Sequence, residues 1–165
     1  MKKLHFVLII FAVLTSCEKE EEGPKNYIEY NGQKYELTKG FIQNLGGEHN
    51  NWDIILASDL IMVTGEGITG FGNAVYLRMF SSSQTEFAPG VYTYSSSANP
   101  LTFNRGTYGI NYDYANRNGT SLALVAGTIN ISLTGSDYTI SISSVLASGT
   151  AVNAYYSGPL VYQEF

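Results

Sequence analysis

Apolar and polar side chains alternate most clearly between residues 128 and 143, TINISLTGSDYTISIS. The alternation has a period of two and is interrupted only at Gly135-Ser136-Asp137. A run of this kind with one apolar face is typical of a half-buried strand. Two such runs around a turn that contains glycine predict an antiparallel hairpin.

Weaker forms of the same pattern recur along the chain. In residues 27–37, YIEYNGQKYEL, the pair Asn31-Gly32 separates two short alternating runs, and this pair is favoured in two-residue turns. Residues 52–57 are apolar on both faces and indicate a central strand, while residues 73–80 place Val75, Leu77 and Met79 on one face. Asn118-Gly119 predicts a further turn.

These segments predict a single all-β domain. About ten short strands with turns roughly every 8 to 12 residues favour an antiparallel β-sandwich of about 8–10 strands. The alternative is a closed or flattened meander β-barrel, lipocalin-like, which would bury the same alternating residues. Composition agrees, because 13 tyrosines, 8 phenylalanines and 17 glycines favour strands and tight turns over helices.

The N-terminus follows a different pattern. Lys2 and Lys3 precede an apolar run over residues 4–14, which is shorter than the roughly 20 residues of a spanning helix and typical of an export signal. Leu14-Thr15-Ser16-Cys17 resembles the lipobox of bacterial lipoproteins, in which the cysteine is lipidated and becomes the new N-terminus. We therefore expect residues 1–16 to be a lipoprotein signal peptide; an ordinary secretory signal is the alternative.

Lipidation of Cys17 would also explain why the chain contains a single cysteine, since one thiol has no internal disulfide partner. Two or more acyl chains give stable membrane anchoring. Residues 17–25 are then the lipidated cysteine and an acidic, flexible linker, because EKEEE is too polar to bury. The folded domain is expected over residues 26–165.

The acidic run after the cysteine resembles the signal that sends lipoproteins of Bacteroidota to the outer face of the outer membrane. A plain solvated linker is the alternative interpretation. The phrases IEYNGQKYELTKGFIQNLG, WDIILAS, PGVYTYSS, GTINIS and DYTISIS are similar to a group of Bacteroidota lipoproteins with a lipobox, an acidic linker and one all-β domain. The resemblance implies a fold and a lipid-anchored, surface-exposed location. It supplies no catalytic residue.

Charge argues against a nucleic-acid partner. Loss of residues 1–16 would remove Lys2 and Lys3 and change the formal net charge from −5 to −7. No lysine follows Lys39, and the later cations are Arg78, Arg105 and Arg117. Binding to phosphates requires clustered lysine and arginine.

Candidates for catalysis are few. His49 is the only histidine after residue 16, and although Asp53 is near it, no serine lies in a nucleophile-elbow motif. His49 is therefore interpreted as a polar loop residue. Glu66 and Glu86 could serve a glycosidase, but no pattern pairs them. We expect no enzymatic activity.

Metal binding has equally little support. Glu48, His49 and Asp53 lack the spacing of a zinc site. Residues 113–119, DYANRNG, depart from a calcium loop because Tyr114 occupies a position that needs an oxygen ligand. The prediction is that the protein holds no metal and no cofactor.

A binding role is the favoured prediction. Aromatic rings with amide and charged groups are concentrated in one short segment, and such a set could stack on sugar rings and bind their hydroxyls. The predicted ligand-binding residues are Arg105, Tyr108, Asn111, Tyr112, Asp113 and Tyr114. Cross-strand packing of the tyrosines is the alternative.

Three functions remain open, in falling order of support. A glycan-binding module predicts that the tyrosines at positions 108, 112 and 114 are exposed and line one groove. A structural or assembly protein, with an outer-membrane protein as partner, predicts an exposed apolar patch or an open sheet edge. A hydrolase predicts a deep pocket at His49 or at paired carboxylates. In each case the membrane is a partner through the N-terminal lipid.

Overall fold

The computed structural model describes residues 23–164, which form thirteen β-strands. This part of the chain contains no helix, and therefore none that is long and apolar enough to span a membrane. Cys17, the expected signal peptide and most of the expected linker lie outside the described residues. The strands are β1 Tyr27–Tyr30, β2 Gln33–Glu36, β3 Lys39–Gly46, β4 Asn51–Ala57, β5 Met62–Thr64, β6 Gly67–Thr69, β7 Phe71–Phe80, β8 Gly90–Tyr94, β9 Thr102–Asp113, β10 Asn118–Thr134, β11 Asp137–Leu146, β12 Ala151–Pro159 and β13 Val161–Tyr162.

Eleven strands build one large curled sheet, which confirms the all-β prediction. Their order is β13-β3-β4-β7-β9-β8-β10-β11-β12-β1-β2, and β9 also pairs with β10. The remaining two strands, β5 and β6, form a separate hairpin. Most pairings are antiparallel, but β8 runs parallel to β9 and β13 runs parallel to β3. The sheet is therefore mixed, and the expectation of purely antiparallel pairing was wrong at these two places.

The parallel pairing of β8 has a geometric cause. β9 and β10 pair with each other over Thr107 to Asp113, near the turn that joins them. Beyond this region they separate, and β8 fills the gap: it pairs with β10 through Ile129 and with β9 through Phe103. Because β9 and β10 are antiparallel, a strand between them must be parallel to one of the two.

Two of the predicted turns are confirmed. Asn31 and Gly32 adopt φ angles of 52° and 74° between β1 and β2, the left-handed conformation that a two-residue hairpin turn requires. In the β10–β11 hairpin Thr134 pairs with Asp137, so the turn consists of the two residues between them. The predicted alternation is present as well, because Ile129 lies opposite Ile142.

The turn predicted at Asn118-Gly119 lies slightly earlier in the chain. Asn118 already pairs with Asp113, and residues 114–117 form the turn, with Arg117 in the left-handed region at φ 54°. The Asp113 carboxylate accepts the backbone N–H groups of Ala115 and Asn116. This side chain, rather than the Asn-Gly pair, stabilises the chain reversal.

The concave side of the sheet encloses the main core. Val75, Leu77 and Met79 are completely buried in it, as their shared face predicted, and nearly every strand contributes further apolar side chains. Gly40 of β3 comes close to Tyr156 of β12, so strands near opposite ends of the sheet approach each other. The interior is filled by side chains.

The hairpin β5–β6 covers part of the convex side. Ile61 and Val63 pack against Ile55, Ala57 and Ala74, which face outward from β4 and β7. β4 is therefore covered on both of its faces, and this confirms the central strand predicted over residues 52–57. Beside this apolar cluster, the same face of β3, β4 and β7 carries the polar side chains of the candidate site.

Candidate functional site

Tyr108 belongs to the main core. Its side chain is completely buried, its hydroxyl donates to Ser144 Oγ at 2.7 Å, and Ser144 Oγ donates to the carbonyl of Val152 at 2.7 Å. Burial raises the pKa of Tyr108 to about 12. The prediction that Tyr108 is exposed to ligand was wrong, because this residue pairs with Val75 on the inward side of the sheet. Here the packing interpretation holds.

Asn111 and Asp113 shape the backbone near the end of β9. Asn111 has a φ of 46° at a bulge, and its N–H donates to Asn73 Oδ1 at 3.0 Å. The side-chain hydrogen bond from Asn116, followed by its backbone N–H, lowers the pKa of Asp113. Both predicted ligand-binding residues therefore have local structural partners.

Tyr112 and Tyr114 contact each other rather than Tyr108. Their rings meet edge to face, with centroids 4.9 Å apart. The hydroxyl of Tyr114 lies over Gly109, in the space that a Cβ would occupy, and its ring packs on the cluster beneath the β5–β6 hairpin. Burial raises the pKa of Tyr114 to about 12. The three tyrosines do not line one groove.

Arg105 lies elsewhere, in a row of polar residues that crosses the sheet. It pairs with Arg78 of β7, Arg78 pairs with Asp53 of β4, and Asp53 pairs with Gln43 of β3. We call Gln43, Asp53, Arg78 and Arg105 the polar row. With strands about 4.8 Å apart, four neighbouring strands spread these residues over roughly 15 Å.

An ion pair forms the centre of the polar row. Arg78 Nε donates to Asp53 Oδ1 and Arg78 Nη2 to Asp53 Oδ2, both at 2.9 Å, and the hydroxyl of Tyr76 donates to Oδ2 at 2.8 Å. The Asp53 side chain is only 6% exposed. A carboxylate tolerates such burial when charged donors satisfy it, and the bidentate geometry is the strong form of this interaction.

The pKa values of the two side chains that contact Asp53 are both raised. Burial, together with the hydrogen bond to Asp53, raises the pKa of Tyr76 to about 12. The hydrogen bonds to Asp53 also raise the pKa of Arg78 above its ordinary value. The pair thus holds a charged guanidinium and a neutral phenol in fixed positions at neutral pH.

An open groove of about 530 Å³ begins at the Gln43 end of the polar row. It is lined by Gln43, Asn44, Gly65, Tyr162 and Glu164. Tyr162 is 56% exposed and offers an aromatic ring at the edge of the groove. The convex face therefore combines an accessible ring with carboxylate, guanidinium and amide groups.

Sequence reasoning missed this site although a signal was present. Asp53 and Arg78 are single charges of opposite sign in two segments that were predicted as strands of the core. A charge in a buried strand requires a partner. Asp53 and Arg78 carry the opposite charges of those two segments, so an ion pair between them could have been predicted from the sequence.

The other candidates considered from the sequence do not converge. His49 is exposed in the turn between β3 and β4, which confirms the loop interpretation, and Glu66 and Glu86 are exposed in separate loops. Within residues 23–164 no three histidine, cysteine or acidic side chains are arranged to hold a metal ion.

Comparison with protein-family models, with curated proteins and with solved structures finds no match. The candidate site is accordingly defined by its geometry. It consists of the polar row, with the Asp53–Arg78 pair at its centre, and the accessible groove that begins at Gln43.

Proposed function

We propose that this chain is a lipoprotein anchored at the surface of the outer membrane, with a non-catalytic binding role and a glycan as its ligand. The anchor is the lipidated Cys17, and the acidic run after it directs the protein to the cell surface. The polar row beside the groove at Tyr162 is the observation that carries the binding role.

The polar row has the chemistry that sugar hydroxyls require. Hydroxyl groups both donate and accept hydrogen bonds; the row offers donors on Arg78 and Arg105, and the carboxylate of Glu164 in the adjoining groove offers acceptors. Asp53 and Arg78 hold each other in place, so little conformational entropy is lost when a ligand binds. The ring of Tyr162 supplies an apolar surface for the face of a sugar.

We infer further that the curled sheet is a flattened barrel rather than a sandwich. A single sheet contains eleven of the thirteen described strands, and β3 and β12, which lie near its opposite ends, come together where Gly40 meets Tyr156. Side chains from nearly all strands fill the interior. A filled interior leaves the outer face as the place for a ligand.

A glycan array tests the binding role. The probe is a soluble chain of residues 23–165, which retains every described strand, beside the variants Arg105→Gln and Arg117→Gln. Both arginines are exposed, but Arg117 lies in the β9–β10 turn, away from the polar row. We expect Arg105→Gln to lose glycan binding and Arg117→Gln to keep it. Equal binding by both variants would rule out the polar row, and a wild-type chain that binds no glycan would rule out the glycan.

The lipid anchor has its own test. The intact mass of the protein extracted from membranes should correspond to residues 17–165 plus acyl chains. A mass with unmodified Cys17 would contradict the anchor and leave the glycan experiment unaffected.

A structural or assembly role in an outer-membrane complex is the alternative function. It is favoured by the open edge of the sheet at β2. However, β2 has only four residues and carries Lys34 and Glu36, and short charged edges discourage the addition of a further strand. The absence of any glycan ligand would make this alternative the leading one.

A further inference from the structure

Asn26, which directly precedes β1, is connected through Leu37 and Thr38 to the loop that joins β4 to β5. The carbonyl of Asn26 accepts the N–H of Leu37 at 3.0 Å, and the next residue, Thr38, donates its N–H to the carbonyl of Ala57 at 2.8 Å. The N–H of Ser58 then donates to the carbonyl of Asn73 at 2.8 Å. Three backbone hydrogen bonds therefore link the N-terminal segment to the segments on either side of the β5–β6 hairpin.

These segments carry an exposed apolar cluster, which we call the rim cluster: Leu60, Met62 and Phe71. Leu60 and Met62 are 70% and 59% exposed, the two highest values among the large apolar side chains of residues 23–164, and Phe71 is 52% exposed. The backbone of Leu60 contacts Gly70, the neighbour of Phe71. The three side chains thus emerge from adjoining segments.

The exposure of the rim cluster follows from the way this segment packs on the sheet. Ile61 and Val63 point toward the sheet and pack against Ala57 and Ala74. Because successive side chains of a strand point to opposite sides, Met62 of β5 faces away from the sheet, and Leu60 is exposed in the turn that precedes β5. Large exposed apolar side chains on adjoining segments are typical of an interaction site.

The loop that presents Leu60 is held in place. The ammonium group of Lys39 donates to the carbonyl of Asp59 and lies 3.4 Å from the Asp59 carboxylate. The N–H of Ile61 donates to the carbonyl of Ser58 at 3.2 Å. Leu60 is therefore presented from a defined backbone and does not need to be ordered when it binds.

We propose that the rim cluster rests on the lipid bilayer to which the protein is anchored. The proposal rests on the lipid anchor at Cys17. Six peptide steps separate Cys17 from Gly23, and at about 3.5 Å for each extended residue they reach at most about 20 Å. The domain is thus confined next to the bilayer, where an exposed apolar surface close to the tether gains from contact with lipid.

Contact at the rim cluster would leave the polar row accessible. Lys39, Ala57 and Ala74 form the line of paired residues nearest to the base of the hairpin, where Leu60 and Phe71 lie. Gln43, Asp53 and Arg78 each lie four residues along their strands from that line. Four residues correspond to about 13 Å along a strand. The binding face would stand beside the bilayer surface instead of being pressed against it.

Quenching of tryptophan by brominated lipids tests the contact. The mature protein, purified from membranes, is reconstituted into vesicles of phosphatidylethanolamine and phosphatidylcholine with or without brominated acyl chains. The variants are Leu60→Trp and Phe71→Trp, with Leu133→Trp as the control. Leu133 is also exposed, but it lies far from Phe71. Phe71 pairs with Asp113, Asp113 pairs with Asn118, and Leu133 is 15 residues further along β10. The native Trp52 is buried and gives the same background in all three.

We expect brominated lipid to reduce the added emission about twofold or more in Leu60→Trp and Phe71→Trp and to leave Leu133→Trp unchanged. Equal emission with and without bromine in the two rim variants would overturn the inference. If unquenched rim variants still co-float with the vesicles, the lipid anchor at Cys17 is supported and only the bilayer contact is wrong. If they do not float and carry no acyl mass, the lipid anchor is contradicted as well. Unquenched rim variants that form dimers in detergent would assign the cluster to a second copy of the chain.

Discussion

Gly40 of β3 lies directly beneath the ring of Tyr156 of β12. A Cβ at position 40 would come within 2.9 Å of both Cζ and the hydroxyl of Tyr156, and it would also meet Cδ2 of Leu160 at 2.5 Å. The hydroxyl of Tyr156 donates to the carbonyl of Pro159 at 2.8 Å, so the ring is held in place. The absence of a side chain at Gly40 lets β3 and β12 approach each other.

Gly40→Ala should therefore destabilise the protein. We expect the free energy of unfolding in urea to fall by about 1–3 kcal/mol, because an added methyl group in a filled space forces side chains or backbone to move. Gly65→Ala is the matched control, since a Cβ there would make only one ordinary contact, at 3.8 Å with the carbonyl of Glu164. Equal stability of the two variants would mean that the seam between β3 and β12 is loose.

The Asp53–Arg78 pair should contribute to stability as well as to the candidate site. In Asp53→Asn the half-buried guanidinium of Arg78 loses its counter-charge, and we expect the free energy of unfolding to fall by about 1–3 kcal/mol. Asp59→Asn is the control, because Asp59 is exposed and its pair with Lys39 should be worth less than about 1 kcal/mol. Urea denaturation measures both; an effect of Asp53→Asn no larger than that of Asp59→Asn would contradict the buried role of the pair.

Tyr108 should matter for folding and not for binding. Tyr108→Phe removes the hydroxyl that donates to Ser144, while Ser144 can still donate to Val152, so we expect a loss of about 0.5–1.5 kcal/mol. Tyr108→Ala should cost about 3–5 kcal/mol because it leaves a cavity in the core. Glycan binding by folded Tyr108→Phe should equal that of the wild type. A selective loss of binding would return Tyr108 to the ligand site.

Local chemistry explains which parts of the fold were predictable. Asn31-Gly32 could be recognised as a turn because its backbone preference depends on those two residues. The β10–β11 hairpin could be recognised because Ile129 and Ile142 belong to runs with a strict period of two. Both signals lie within a few residues of the structure that they specify.

The parts that escaped prediction depend on residues far apart in the chain. The insertion of β8 between β9 and β10 follows from the place where those strands separate, which no local pattern marks. The sides on which Tyr108 and Tyr112 lie could not be read from spacing, since the bulge at Asn111 interrupts the alternation between them. The polar row was missed because it joins residues from four strands.

Alkaline pH should unfold the protein steeply. The pKa of each of four tyrosines is raised to about 12, mainly by burial: Tyr76, Tyr92, Tyr108 and Tyr114. In the unfolded chain tyrosine loses its proton near pH 10. Between about pH 10 and pH 12 the unfolded state therefore binds fewer protons than the folded state, and the free energy of unfolding decreases as the pH rises. Below about pH 10 these groups are neutral in both states, and their contribution to stability is fully present.

A titration of tyrosinate absorbance, followed in parallel with circular dichroism, measures this effect. We expect the ionisation of these four tyrosines to coincide with the loss of β-sheet signal. In Tyr108→Phe one of the four buried groups is absent, so the decline of stability from pH 10 to pH 12 should be less steep than in the wild type. Complete ionisation of all tyrosines in a chain that keeps its β-sheet signal would show that the four rings are accessible to solvent, and it would contradict their burial in the two apolar clusters.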